Sequence, residues 1–258
     1  MTTPPRLPPE FLSVPLAHRT LHDVRDGRPE NSIAGAQAAI EQGYGIEIDL
    51  QLSADGVPMV FHDEVLNRLT PQVGRFNTLS AADLGELRLT YGTEPVPTLE
   101  AFLSVVAGRV PLLIELKDQD GALGDAESGM EAAVCDCLKG YDGPVALMSF
   151  NPHMIARCAE HGPGIPRGLV TDPMEAADWP GVPDARCAEL RGMPDLDRVG
   201  ASFISHNVAD LSSDPVAHAR TSGRDILCWT VRSAKQERTA REYADNITFE
   251  GYLAAFPG

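Results

Sequence analysis

The chain has 258 residues, an apolar fraction of 43% and a formal net charge of −16. The length suits one eight-fold β/α barrel of ~250 residues, and the ordinary apolar content excludes disorder as the default reading. Nucleic acid and anionic membrane surfaces carry the same sign of charge, so neither is expected as a partner.

Residues 1–13 read as an N-terminal arm and 14–258 as one barrel domain. A first strand over 14–18 ends in His18-Arg19. A helix follows over 31–42, with Asn31 or Ser32 as N-cap and Gly43 as its stop. The second strand, 45–50, leads into a segment too short for a helical crossover between parallel strands. That segment holds Asp55-Gly56 between alternating stretches, the signature of a two-residue type I′ hairpin turn. Helix and strand then alternate: helix 97–106, strand 110–116, helix 125–138, strand 144–149, helix 151–161, strand 165–170 and a short helix 173–177. The proline-bearing stretch 178–200 carries no assigned element. Strand 201–206, a helix start near Pro215, strand 225–231, helix 233–244 and strand 246–249 complete the chain. Eight strands alternating with helices predict a parallel sheet closed into a (β/α)₈ TIM barrel, with a β-hairpin after strand 2.

The five cysteines, Cys135, Cys137, Cys158, Cys187 and Cys228, form no Cys-x-x-Cys pair. A disulfide framework is not expected, and a reducing, cytoplasmic setting fits. Residues 1–9 lack the apolar stretch of a secretory signal, and no apolar run approaches the ~20 residues of a membrane span, so no stable membrane association is expected. No pattern specifies an oligomeric state.

Strand side chains alternate faces. In 45–50, Glu47 and Asp49 therefore share one face, and Ile46, Ile48 and Leu50 the other. With the aliphatic set under the helices, both carboxylates enter the lumen, where they repel and are costly to desolvate unless a hard cation joins them. An exposed polar edge is the competing reading of this segment. Strand 110–116 repeats the arrangement with Glu115 and, just beyond it, Lys117. A buried ion pair is the competing reading there. With Asp55-Gly56 as the two loop residues, Leu52 pairs with Met59 and Asp49 faces His62 across the hairpin, ~5 Å away. His18 ends the neighbouring strand at the same rim. Two histidines beside a cation site suit acid–base work on a phosphodiester, and the planar fork of Arg19 suits a phosphoryl oxygen. Weaker candidates are His206, at the end of its strand, and Trp229, which could line a substrate pocket.

Ala17-His18-Arg19, Pro29-Glu30-Asn31-Ser32, Glu47-x-Asp49, Asp55-Gly56-x-Pro58-x-Val60-x-His62-Asp63, Ile114-Glu115-Leu116-Lys117 and Trp229-Thr230-Val231 occur in one order along the chain. This ordered set resembles the glycerophosphodiester phosphodiesterase family. The resemblance implies a barrel similar to phosphatidylinositol-specific phospholipase C. It implies one divalent cation, Mg²⁺ or Ca²⁺ with Mn²⁺ possible, on Glu47, Asp49 and Glu115. It also implies His18 and His62 as the acid–base pair, and Arg19 and Lys117 near the phosphate. Thr20 departs from the family's glycine after His-Arg, and Phe249-Glu250 replaces the aspartate of its Ile-Thr-Asp. The expected reaction is metal-dependent hydrolysis of a small, water-soluble glycerophosphodiester to glycerol 3-phosphate and an alcohol. The alternatives are phospholipase D-like action on lysophospholipids or sphingolipids, and a non-catalytic phosphodiester- or metal-binding barrel.

Overall fold

The computed structural model describes residues 4–257. Its elements are, in chain order, α1 (Glu10–Ser13), β1 (Leu16–Ala17), α2 (Ile33–Gln42), β2 (Gly45–Leu52), β3 (Pro58–Val60), α3 (Ala81–Leu84), α4 (Leu99–Val106), β4 (Leu112–Leu116), α5 (Met130–Cys137), β5 (Val145–Ser149), α6 (Pro152–His161), β6 (Arg167–Thr171), α7 (Asp184–Arg191), β7 (Phe203–Asn207), α8 (Asp214–Thr221), β8 (Asp225–Val231), α9 (Ala234–Ala240) and β9 (Asn246–Phe249). Neighbouring strands run parallel from β2 through β4 to β9, and β1 pairs with both β2 and β9. The sheet therefore closes into a (β/α)₈ barrel, with β3 attached antiparallel to β2 outside the ring.

The period-two pattern divides each strand as its sequence requires. Ile46, Ile48, Leu50, Ile114 and Leu116 pack outward against helices, including Phe102 and Leu103 of α4. Leu16, Leu113, Ala146, Phe203 and Leu227 fill the lumen. Gly168 makes room for this filling: a Cβ there would stand 2.5 Å from the Phe203 carbonyl oxygen and 2.6 Å from its ring.

Two expectations are corrected here, and one unassigned stretch gains an element. The stretch read as an arm is, over its described part, the barrel floor: Leu7 and Phe11 are buried in the lumen cluster. Asn246 tethers that floor by donating to the carbonyls of Phe11 and Val14, each at 2.7 Å. The short helix expected over 173–177 is instead a 3₁₀ turn at Ala176–Asp178, and α7 lies inside the stretch left unassigned.

The hairpin has a three-residue turn, not a two-residue one. Ser53 N–H bonds the Val57 carbonyl at 3.0 Å, the Ser53 hydroxyl accepts from Val57 N–H at 2.9 Å, and Gly56 takes a left-handed φ of 80°. This is the geometry in which glycine ends a three-residue loop. The longer loop shifts the register by one residue, to Leu50↔Val60, Gln51↔Met59 and Leu52↔Pro58. Phe61, rather than His62, consequently lies across from Asp49, its N–H bonding the Asp49 carbonyl at 3.0 Å. Met59 and Phe61 are covered by the segment between β3 and α4, whose Leu66, Leu69 and Phe76 form a separate apolar cluster with them.

Candidate active site

β2 and β4 are in register with Asp49 opposite Glu115. One carboxylate oxygen from each of Glu47, Asp49 and Glu115 lies within 4.8 Å of the others, and all three residues are buried. Asn31, freed because Ser32 supplies the N-cap of α2, donates its amide N–H to Asp49 Oδ2 at 2.9 Å. The Arg19 backbone N–H bonds Glu47 Oε2 at 2.8 Å. Lys117 Nζ stands 2.8 Å from Asp49 Oδ1 and 2.7 Å from Glu115 Oε1.

These contacts push the two carboxyls of β2 in opposite directions. Burial, with the charges of Asp49 and Glu115 added, raises Glu47 well above the usual carboxylate range. For Asp49 burial acts the same way but is outweighed by Lys117, His62 and Arg19, which hold it well below that range. Lys117 is raised, because Asp49 and Glu115 together overcome its desolvation. Three buried carboxylates against the Lys117 ammonium and the Arg19 guanidinium, 3.5 Å from Asp49 Oδ2, still leave excess negative charge, and their hard oxygen donors fit a divalent cation.

Each histidine is held through Nδ1 by a carboxylate. His18 Nδ1 lies 2.6 Å from Glu250 Oε2, and Arg232 Nε donates to Glu250 Oε1 at 2.7 Å. His62 Nδ1 lies 2.7 Å from Asp63 Oδ1. The engaged Nδ1 leaves Nε2 as the nitrogen for proton traffic. Burial lowers the His18 pKa, against the opposing pull of Glu250. His62 lines the cavity despite the shifted register. β3 ends at Val60, so strand alternation no longer governs residue 62, and Gln51 Nε2 holds the His62 carbonyl at 3.1 Å.

A cavity of about 910 Å³ opens here, lined by His18, Arg19, Glu47, His62, Glu115 and Lys117, and farther out by Phe150, Trp179 and Trp229. Trp229, a weak candidate, is thus part of the wall, anchored by its indole N–H on the Ser205 carbonyl at 2.9 Å. His206 is corrected: it lies outside the lining, buried between Thr171 Oγ1 at 2.8 Å and Asp210 Oδ2 at 3.1 Å. Its neighbours Phe203 and Ser205 hold the lumen face, so strand alternation turns residue 206 outward. Thr20 does not crowd the cavity. It is buried with φ of 75°, against Gly35 of α2, where an added Cβ would meet its hydroxyl.

Asp63, Glu250 and Asn31 escaped selection as site residues. The signal for Glu250 existed: Asn246, Thr248 and Glu250 continue the lumen face of β9 by alternation.

The profile of the glycerophosphoryl diester phosphodiesterase family matches residues 18–246. The chain belongs to this family. As a glycerophosphoryl diester phosphodiesterase family member it is a phosphoric diester hydrolase. It is 28% identical over 229 residues to the glycerophosphodiester phosphodiesterase of Caldanaerobacter subterraneus, covering 85% of this chain and 87% of that one. It is 32% identical over 152 residues to Bacillus subtilis protein YqiK, covering 55% of this chain and only 61% of that protein's length. The fold is similar to that of an Oleispira antarctica phosphodiesterase solved with the product sn-glycerol-3-phosphate. There the TM-score is 0.74 at 24% identity, covering 96% of this chain and 93% of that one. Among the described residues no helix is long and apolar enough to cross a membrane.

Proposed function

We propose that this phosphodiesterase hydrolyses small, water-soluble glycerophosphodiesters to glycerol 3-phosphate and an alcohol, with His18 and His62 as its acid–base pair. The carrying observation is that two carboxylate-held histidines line one cavity with Glu47 and Glu115, which cluster with the buried Asp49. His18 Nε2 takes the proton from the attacking nucleophile, and His62 Nε2 gives one to the leaving alcohol oxygen. Glu250 and Asp63 keep the two rings turned for this exchange and stabilise the protonated forms. Arg19 and Lys117 flank the place of the phosphoryl oxygens.

Glu47, Asp49 and Glu115 would hold the divalent cation, Mg²⁺ or Ca²⁺ with Mn²⁺ as the alternative. When bound, such an ion supplies Lewis-acid stabilisation of phosphoryl charge. The glycerol 3-phosphate named with the Oleispira antarctica relative supports the substrate class. The five free cysteines support a reducing, cytoplasmic location.

The test is release of glycerol 3-phosphate from glycerophosphocholine by the purified protein, before and after chelation and cation addition. Chelation should abolish release and Mg²⁺, Mn²⁺ or Ca²⁺ restore it. His18→Ala and His62→Ala should each lower turnover by at least ~10²-fold, the scale of acid–base catalysis. Full activity in either variant, or after exhaustive chelation, overturns the corresponding assignment. A lysophospholipid is the second substrate to assay, because the aromatic wall of Phe150, Trp179 and Trp229 is also suited to apolar groups.

A further inference from the structure

Arg68 lies a few residues beyond His62, in the segment between β3 and α4, and does not line the cavity. Its guanidinium makes two forks. On Glu30, Nη1 bonds Oε2 at 2.6 Å and Nη2 bonds Oε1 at 2.8 Å. On Asp63, Nε bonds Oδ2 at 2.7 Å and Nη2 bonds Oδ1 at 2.8 Å. Both carboxylates also face the site. Glu30 Oε1 accepts from Arg19 Nη1 at 3.0 Å, and Asp63 Oδ1 holds His62 Nδ1 at 2.7 Å. One planar cation is therefore a single carboxylate away from Arg19, which follows β1, and from His62, which follows β3.

We propose that Arg68 is a positioning residue that sets Arg19 and His62 relative to each other. The inference rests on the roles proposed above for those two side chains. Without Arg68, Glu30 and Asp63 are like charges brought together by their arginine and histidine partners, with nothing between them. Each carboxylate then turns away, and the side chain it holds goes with it. Leu66 and Leu69 on either side of Arg68 are buried, so the clamp is fixed to a packed segment rather than to a free loop. Lysine cannot replace it, because a point-like ammonium does not make two forks.

The experiment measures kcat/KM for glycerophosphocholine in Arg68→Ala and Arg68→Lys, alone and combined with His62→Ala or Arg19→Ala, with melting midpoints alongside. Arg68→Ala should lower kcat/KM about tenfold or more, the scale of a misplaced catalytic group, and Arg68→Lys should recover only a minor part. The cost of Arg68→Ala should shrink to about threefold or less in each of the other backgrounds, because part of what it positions is already gone. A purely structural contribution would instead carry over undiminished. An Arg68→Ala enzyme within about twofold of the parent, or a cost unchanged in either background, overturns the proposal. Should Arg68→Ala fail to fold, Arg68→Lys decides by the same comparison. A His62→Ala protein of full activity is a different result: it overturns the catalytic reading, whereas an intact Arg68→Ala beside an inactive His62→Ala overturns only the positioning role.

Discussion

Glu250 carries three basic neighbours on one carboxylate. His18 and Arg232 touch it directly, and His22 Nε2 stands 3.8 Å from Oε2. The bond from His18 comes first among the causes that hold its pKa far below the usual carboxylate range, followed by His22, with burial opposing both. The folded value lies below the unfolded one of ~4.3, so the carboxylate's contribution to stability is complete above that value. It is lost as pH falls through the depressed folded value. Glu250→Gln should therefore melt lower than the parent at pH 7, and the gap should narrow steadily below about pH 4. Thermal melts of the two proteins across that range check it, and a gap of constant size would show that Glu250 is not stabilised by its charge. Reading this residue from sequence failed for a local reason. Phe249 stands where the family carries its aspartate, which in the sequence puts a lumen carboxylate on the last strand in doubt. Phe249 is in fact buried on the helix side against Tyr44, at 4.8 Å between ring centroids, and the carboxylate arrives one position later on a longer side chain.

At the level of elements, each of the eight expected barrel strands overlaps an observed one, because buried aliphatic runs bounded by glycine and proline leave few alternatives. The placement of Glu47, Asp49 and Glu115 followed from the same alternation. What stayed hidden depended on side chains acting on backbone. The Ser53 hydroxyl lengthens the hairpin turn and moves the register by one residue, which an Asp-Gly pair alone does not reveal. The start of the chain was harder still. Proline-rich composition suggested a loose arm, whereas Phe11 is completely buried at the floor of the lumen. The barrel uses it as a plug there, since Phe11 and Leu7 pack against the lumen-filling Leu16, Leu113, Ala146, Phe203 and Leu227. Phe11→Ala should cost ~3–5 kcal/mol, the usual penalty for a deleted buried aromatic ring. Denaturant unfolding measures it. A cost under ~1 kcal/mol would mean that α1 does not close the barrel in solution.

Across the whole molecule, the charge of −16 is not spread evenly around the cavity. Of its basic groups, Arg19 and Lys117 are bound to carboxylates at the end that holds Glu47, Asp49 and Glu115, and Arg75, elsewhere in the lining, lies 3.5 Å from Glu64. Toward the mouth, Asp118, Asp120 and Asp178 line the wall near Phe150 and Trp179, whose rings lie 4.8 Å apart between centroids. Among the described residues none of these three aspartates lies in an ion pair with a basic side chain. In the reaction proposed above the glycerol phosphate portion sits at the Arg19–Lys117 end, which would bring the alcohol portion against an aromatic wall bearing three aspartates without a basic ion-pair partner. A cationic alcohol is welcomed there, partly through its attraction to ring faces. Choline and ethanolamine carry the same charge, and a wide cavity does not sort them by a methyl group, so their glycerophosphodiesters should react within about tenfold of each other, a barrier gap of ~1.4 kcal/mol. A glycerophosphodiester whose alcohol bears an extra carboxylate should be slower by about tenfold or more at low salt, with the difference shrinking as ionic strength rises. The measurement is glycerol 3-phosphate release across head groups at two salt concentrations, beside a lysophospholipid. An anionic head group that reacts as fast as choline would remove the field from the account of specificity. A strong preference for the lysolipid would reassign the aromatic wall to an acyl chain and the enzyme to phospholipase D-like chemistry.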